Sequence, residues 1–237
     1  MFGAYQAGVW EVLHRSFKPD LIVGASVGSL NGYLIACGSA PDDLIRRWQS
    51  LGDVNQVRWR MARLASGLLD PGPLEMLIQE ICQTAPECEY ALVATETRTC
   101  RPRLFAWPDI TWKHIAASCG VPVFLPTHQI NGVYYSDGGL VDPLPLWAAL
   151  ELGATEVVTV DVMNRRPLPV RAAIGVLQAW AGYKRPQPER VQVLEINPSR
   201  LLGSVRDSIY WSRANTDRWI ELGRQDAQSV LTVARTA

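Results

Sequence analysis

Histidine is scarce in this 237-residue sequence, and its scarcity limits the catalytic machinery that the chain can hold. The chain contains three histidines: His14, His114 and His128. A serine hydrolase of the α/β-hydrolase type carries its nucleophile, its acid and its histidine in that order along the chain. His14 precedes the serine motif described below, and the two later histidines precede the glycine-flanked Asp137. An ordinary triad is therefore disfavoured.

Closely spaced cysteines are also lacking. The five cysteines are far apart, odd in number, and none lies in a C-x-x-C pair or beside a histidine; they are residues 37, 82, 88, 100 and 119. This spacing predicts neither a disulfide framework nor a zinc site. We expect buried free thiols instead.

An excess of either charge is absent too. The chain has 23 basic and 23 acidic residues, so no global field attracts nucleic acid, and we expect no nucleic-acid partner. The first fifteen residues lack a basic segment before an apolar core, which argues against a secretory signal. Together with the unpaired cysteines, this predicts a cytoplasmic protein, with peripheral membrane contact as an alternative. A 48% apolar composition predicts a substantial core.

The central stretch of the chain, residues 20–38, has the pattern strand, turn, helix. Residues 21–23 are a charge-free apolar run, which is typical of a buried strand. The pentapeptide Gly24-Ala25-Ser26-Val27-Gly28 follows, and then apolar residues at helical spacing. G-x-S-x-G between a strand and a helix is typical of a nucleophile elbow. Ser26 would lie at a helix N-terminus, where free N–H groups favour developing negative charge.

Two structural alternatives compete with the elbow. Residues 21–40 form a charge-free run of twenty residues with overlapping GxxxG patterns, which would also suit a membrane span. Its serines, asparagine and glycines make the run only weakly hydrophobic. In the other alternative Ser26 merely caps the helix, a common role for serine. The pentapeptide alone does not decide between nucleophile and cap.

Asp137 is the best candidate partner for the serine. A hairpin built on Asn131-Gly132 leads into Ser136-Asp137-Gly138-Gly139. Paired glycines permit unusual backbone angles and close approach by another segment. A carboxylate in such a turn can accept a serine proton directly, although Asp beside Gly also forms plain Asx turns. The combination with the elbow favours a catalytic role.

The remaining elements predict the fold class. Strands alternate with helices along the chain, which predicts an α/β fold with a mainly parallel central sheet covered by helices on both faces. Residues 46–64 interleave arginines with tryptophans, a pattern that suits either a membrane interface or a solvated helical face. Residues 208–233 predict a long terminal helix or helix pair.

The elbow and the Asp-Gly-Gly turn together resemble the patatin-like phospholipases, which are lipid acyl hydrolases with a Ser–Asp dyad. Residues 3–9, 117–126 and 132–140 extend the similarity. The resemblance covers residues 1–162 best. We treat residues 1–237 as a single domain, in which 200–237 form a C-terminal helical extension.

The resemblance implies a three-layer α/β/α sandwich and the role of each site residue. Ser26 would be the nucleophile and Asp137 the proton acceptor, set in motifs completed by Gly24, Ala25, Val27, Gly28, Gly138 and Gly139. The activity implied is hydrolysis of acyl esters in phospholipids or other acyl lipids, without a metal or an organic cofactor.

One part of the family pattern is incomplete. The oxyanion loop of these enzymes is a run of glycines just before the position of Gly3, and only its last glycine is present. Gly3 and the Val27 N–H are the remaining candidate oxyanion donors. We expect the natural reading frame to start upstream, and the chain as given to be a weak catalyst, marginally soluble and open along one strand edge.

Two other functions remain open from the sequence. An acyl-carrier transacylase would use Ser26 with His128, but it leaves the Asp-Gly-Gly turn unexplained. A protein with the same fold and a weak or absent activity would bind lipid without turning it over.

Overall fold

The computed structural model describes residues 2–53, 69–165, 168–184, 191–203, 207 and 212–236. The helices are α1 (Gly3–Leu13), α2 (Val27–Ala36), α3 (Pro41–Asp53), α4 (Gly72–Ile81), α5 (Trp112–Ser118), α6 (Leu146–Glu151), α7 (Leu168–Ala181) and α8 (Arg213–Thr236). The strands are β1 (Leu21–Ala25), β2 (Glu89–Glu96), β3 (Arg101–Ala106), β4 (His128–Ile130), β5 (Val133–Ser136), β6 (Glu156–Val160) and β7 (Gln192–Ile196).

The larger sheet is mixed rather than mainly parallel, which corrects the prediction from the sequence. β1 runs parallel to β2, whereas β2 is antiparallel to both β3 and β5, and β4 is antiparallel to β5. β6 and β7 form a separate parallel pair. The connections from β2 to β3 and from β4 to β5 are short, and a short connection can join only antiparallel neighbours. The α/β class, with a central sheet and flanking helices, is as predicted.

The terminal helix α8 is part of the core and packs along α1. Trp219 and Ile220 of this helix are almost fully buried. The Phe2 ring meets Trp219 edge-on, with centroids 5.4 Å apart. The buried Tyr5 hydroxyl donates a hydrogen bond of 3.0 Å to Asp226 Oδ2. These contacts hold α1, and with it the start of the chain, against the C-terminal segment.

A groove separates the two sheets. Within the described residues, β1 lies at one end of the larger sheet and β6 pairs with β7 alone, so each strand has one unpaired edge. Both edges line the same cavity, of about 230 Å³, together with apolar side chains of α1 such as Val9 and Leu13. Among the residues that the structure describes, the open edge expected from the sequence is present at β1. It also explains why β1 and β6 are only half-buried, although their composition is typical of fully buried strands.

Two stretches of the sequence, residues 21–40 and 46–64, had a membrane-related alternative. Residues 21–40, the alternative membrane span, form β1, a turn and α2. No helix within the described ranges is both long enough and apolar enough to cross a bilayer. In the basic and aromatic stretch 46–64, Trp48 is buried and donates a hydrogen bond of 2.9 Å to Asn31 Oδ1, so it is a core residue. Residues 54–64 of that stretch lie outside the described residues.

Candidate active site

Ser26 forms the sharp turn between β1 and α2. Its backbone angles are φ 53° and ψ −131°, a conformation that costs a residue with a side chain about 1–3 kcal/mol. The surrounding structure offsets this strain with hydrogen bonds. The Ser26 carbonyl accepts from the Ser29 N–H at 2.9 Å and from the Ser29 hydroxyl at 2.6 Å. The Ser26 N–H donates to Ser118 Oγ at 2.9 Å.

The two glycines of the G-x-S-x-G motif differ in how much space their surroundings leave for a side chain. A Cβ on Gly24 would lie 2.3 Å from the carbonyl oxygen of Gly28, so the backbone at the end of β1 must pass directly against α2. A Cβ on Gly28 would meet only Gln6 Nε2 at 3.5 Å, an ordinary contact. The close approach therefore depends on Gly24, while Gly28 is the more replaceable of the two.

The strand register brings Ser26 and Asp137 together. β1 and β5 meet end to end along one edge of β2, because Ala25 is opposite Val93 and Ser136 is opposite Thr95. The residue that follows each strand end therefore comes to the same place, beside Ala94 of β2. The Ser26 hydroxyl donates to Asp137 Oδ2 at 2.5 Å, across 111 positions of sequence.

Asp137 is held on several sides. Its Oδ1 accepts from the Gly139 N–H at 2.8 Å, and its carbonyl accepts from the Thr95 hydroxyl at 2.8 Å. A Cβ on Gly138 would lie 2.0 Å from the Val93 carbonyl oxygen, so a glycine is required for the turn to pack against β2. Asp137 is 6% exposed. The carboxylate is thus fixed towards Ser26 and shielded from solvent.

Comparisons with known proteins identify the family and the fold of this chain. Residues 1–150 match the family model of the patatin-like phospholipases, which is more than half of the chain. The chain belongs to the patatin-like phospholipases. The crystal structure of VipD from Legionella pneumophila has a similar fold, with a TM-score of 0.54 and 11% sequence identity. That alignment covers 98% of this chain and 65% of the VipD chain, so this chain spans about two-thirds of the length of VipD.

The environment of Asp137 in this patatin-like fold changes its acidity. Burial raises the pKa of the Asp137 carboxyl from 3.8 to about 6. Hydrogen bonds from the Ser26 hydroxyl and the Gly139 N–H act in the opposite direction, because they stabilise the ionised carboxylate. The group is therefore mostly ionised at neutral pH, yet it is a stronger proton acceptor than an exposed aspartate.

The three histidines have partners away from Ser26. His128 Nε2 lies 3.2 Å from Glu75 Oε1, and His114 Nδ1 lies 3.0 Å from the Thr111 hydroxyl. His14 is exposed and contacts backbone carbonyls of α1. The structure therefore does not bring His128 to the serine hydroxyl as the transacylase alternative requires.

Ser118 and Cys119 are site residues whose roles the sequence analysis missed. Ser118 Oγ accepts from the Ser26 N–H and donates to the Val93 carbonyl at 2.7 Å, so it ties the elbow to β2. The Cys119 thiol donates to the Ser26 carbonyl at 3.3 Å, and burial raises its pKa to about 12. Both residues lie within the segment 117–126 that resembles the family. Nothing in their local sequence indicates a contact more than ninety residues away.

Two helix N-termini meet beside the serine. A Cβ on Gly3, the first residue of α1, would lie 2.4 Å from Val27 Cγ2, the first residue of α2. The Gly3 carbonyl also accepts a hydrogen bond of 2.9 Å from Asn31 Nδ2. The first N–H groups of a helix have no acceptor within that helix, and the dipole makes this end positive. The sequence-predicted oxyanion candidates Gly3 and Val27 are therefore adjacent.

No cluster of three or more histidine, cysteine, aspartate or glutamate side chains suited to a metal ion occurs among the residues that the structure describes. The cysteines are free thiols, and Cys119 is the most deeply buried of them.

Proposed function

We propose that this chain is a serine hydrolase that cleaves acyl ester bonds in phospholipids or other acyl lipids through a Ser26–Asp137 dyad. The observation that carries the proposal is the 2.5 Å hydrogen bond from the elbow serine to a buried carboxylate. Membership of the patatin-like phospholipases supports lipid esters as the substrate class.

The proposed reaction follows from the position of the proton. Ser26 Oγ attacks the ester carbonyl carbon while its proton moves to Asp137 Oδ2. The tetrahedral intermediate then collapses, the bond to the alcohol breaks, and the departing alcohol takes the proton from Asp137. Water attacks the acyl-serine in the same way, gives its proton to Asp137, and releases the fatty acid as Ser26 recovers its proton.

The oxyanion of the intermediate would lie at the meeting point of α1 and α2. The Val27 N–H, directly after the nucleophile, is the first donor in this proposal, and the N-terminus of α1 at Gly3 supplies the second. Loss of one such donor costs roughly 10²–10³ in rate.

The experiment is a panel of acyl esters run on the wild type, Ser26→Ala, Asp137→Asn and the double variant. We expect each single change to abolish turnover and the double variant to lose no more, because either change stops the same proton transfer. Ser50→Ala, an exposed serine on α3, is the matched control and should keep full activity. Near-normal turnover in a cooperatively folded Asp137→Asn variant would overturn the dyad.

Two further measurements separate the alternatives. His128→Ala should leave turnover unchanged, whereas a transacylase that depends on this histidine would lose it. A fluorophosphonate probe should label Ser26, whereas a lipid-binding protein with an inactive serine would stay unlabelled.

A further inference from the structure

Helix α7 presents large apolar side chains to solvent. Leu168, Val176 and Trp180 are 76%, 68% and 66% exposed. These positions are separated by multiples of four residues, so they lie along one side of the helix, and Ala172 between them is exposed as well. A continuous exposed apolar strip of this kind marks an interaction surface rather than ordinary solvent-facing sequence.

The charges in the segment that carries this strip have one sign. Residues 162–188 contain five basic residues and no acidic residue. Within the described residues, Arg165 precedes α7, Arg171 lies on it and Lys184 follows it, and all three are exposed. A helix with apolar and aromatic residues on one side and basic residues around it is typical of segments that lie in the interface of anionic membranes.

α7 is attached to the turn that carries Asp137. Gln178 Nε2 donates to the Val141 carbonyl at 2.7 Å, and the Tyr183 hydroxyl donates to Asp142 Oδ2 at 2.9 Å. Val141 and Asp142 lie four and five positions after Asp137 and are almost fully buried. The exposed helix is therefore fixed to the same loop as the catalytic carboxylate.

We propose that α7 docks on an anionic phospholipid surface and holds the Ser26–Asp137 pair at that surface. The occupant is a membrane and not a protein groove, because the strip combines a tryptophan with the basic residues of a segment, 162–188, whose sequence has no acidic residue. Their long side chains reach phosphate headgroups while the apolar strip enters the acyl boundary. The inference rests on the proposed function, since it supplies the lipid esters on which the dyad acts.

The binding test uses the full chain carrying Ser26→Ala, so that it does not depend on turnover. Its co-sedimentation is measured with vesicles of phosphatidylcholine alone and of phosphatidylcholine with phosphatidylserine. We expect binding to the anionic vesicles only, reduced by added salt. Val176→Gln with Trp180→Gln should weaken it by at least about tenfold, the effect of losing one large buried apolar side chain. Met76→Gln, which alters an equally exposed apolar residue on α4, is the matched control.

The outcomes separate this inference from the proposed function. In the active chain, the α7 double variant should hydrolyse a soluble short-chain ester at the wild-type rate and vesicle phospholipid at least about tenfold more slowly. If the double variant fails to unfold cooperatively in urea, Arg171→Gln with Lys184→Gln replaces it, and reduced binding is again expected. Absence of binding, equal binding to neutral vesicles, or equal loss in Met76→Gln would overturn the inference. Absence of turnover on both substrates in the wild type would overturn the proposed function and leave the binding result intact.

Discussion

Replacing Asp137 by Asn should stabilise the protein at neutral pH while it removes the proposed base. The pKa of this carboxyl is about 6 in the folded protein and 3.8 in its ordinary state. A raised carboxyl pKa means that the folded protein holds the proton more tightly than the unfolded chain. The stability from this group is therefore fully present below pH 3.8 and is lost as the pH rises through about 6.

The size of the effect follows from the two pKa values. A difference of about two pKa units corresponds to a difference of about 3 kcal/mol in the free energy of unfolding between the acidic and neutral limits. Between about pH 4.5 and pH 7, the free energy of unfolding falls by about 2 kcal/mol because of this group. Asparagine keeps the size of the side chain and an oxygen that can accept from the Gly139 N–H, but it carries no charge and so avoids this loss.

Urea unfolding at several pH values measures the prediction. The free energy of unfolding of Asp137→Asn minus that of the wild type should rise by about 2 kcal/mol from about pH 4.5 to pH 7. Glu151→Gln, which removes an exposed carboxylate from α6, should show no comparable rise. If the free energies of unfolding of the wild type and Asp137→Asn changed in parallel with pH, the reasoning would be refuted. Ionising this carboxyl would then cost the folded protein nothing.

Three other predictions concern the same site. Ester turnover should rise about tenfold per pH unit up to about pH 6 as Asp137 ionises and then level off, and this limb should persist in His128→Gln; its disappearance there would assign the base to the histidine. Gly24→Ala should abolish both soluble expression and activity, because its Cβ would overlap backbone, whereas Gly28→Ala should fold and retain most of its activity; equal tolerance would contradict the packing at the elbow. Ser118→Ala should reduce the free energy of unfolding by about 1–3 kcal/mol and lower kcat, because it leaves buried backbone groups unpaired; an unchanged kcat would show that this hydroxyl does not position the serine.

Local chemistry was enough to predict the strand–elbow–helix and the glycine-flanked aspartate. The glycines of G-x-S-x-G allow two backbone segments to approach closely at the turn, and Asn131-Gly132 favours a tight hairpin. Each motif therefore predicts its local backbone geometry. The glycine-flanked turn made Asp137 the best candidate partner for Ser26, and the family resemblance then implied the same pair. In the structure the link is made by register, since β1 and β5 end at neighbouring positions on β2.

Other features depended on tertiary contacts that sequence patterns do not encode. Strand direction was predicted from the alternation of strands and helices, but short connections make β3 antiparallel to β2 and β4 antiparallel to β5. The role of Ser118 depends on where α5 ends against β2. The exposure of α7 was not predicted either, because an apolar helix with few charges is equally typical of a buried position.

The groove between the two sheets also affects the serine itself. β1, which carries Ser26 at its end, is hydrogen-bonded along one edge only among the described residues. The nucleophile therefore follows a strand that is hydrogen-bonded on one side, and its alignment with Asp137 depends on the pairing of β1 with β2. Any polypeptide that occupied the groove and bonded to the free edge would brace that strand from the other side. A polypeptide bound in the groove would thus change the alignment of Ser26 with Asp137 by making β1 more rigid, without contacting either side chain.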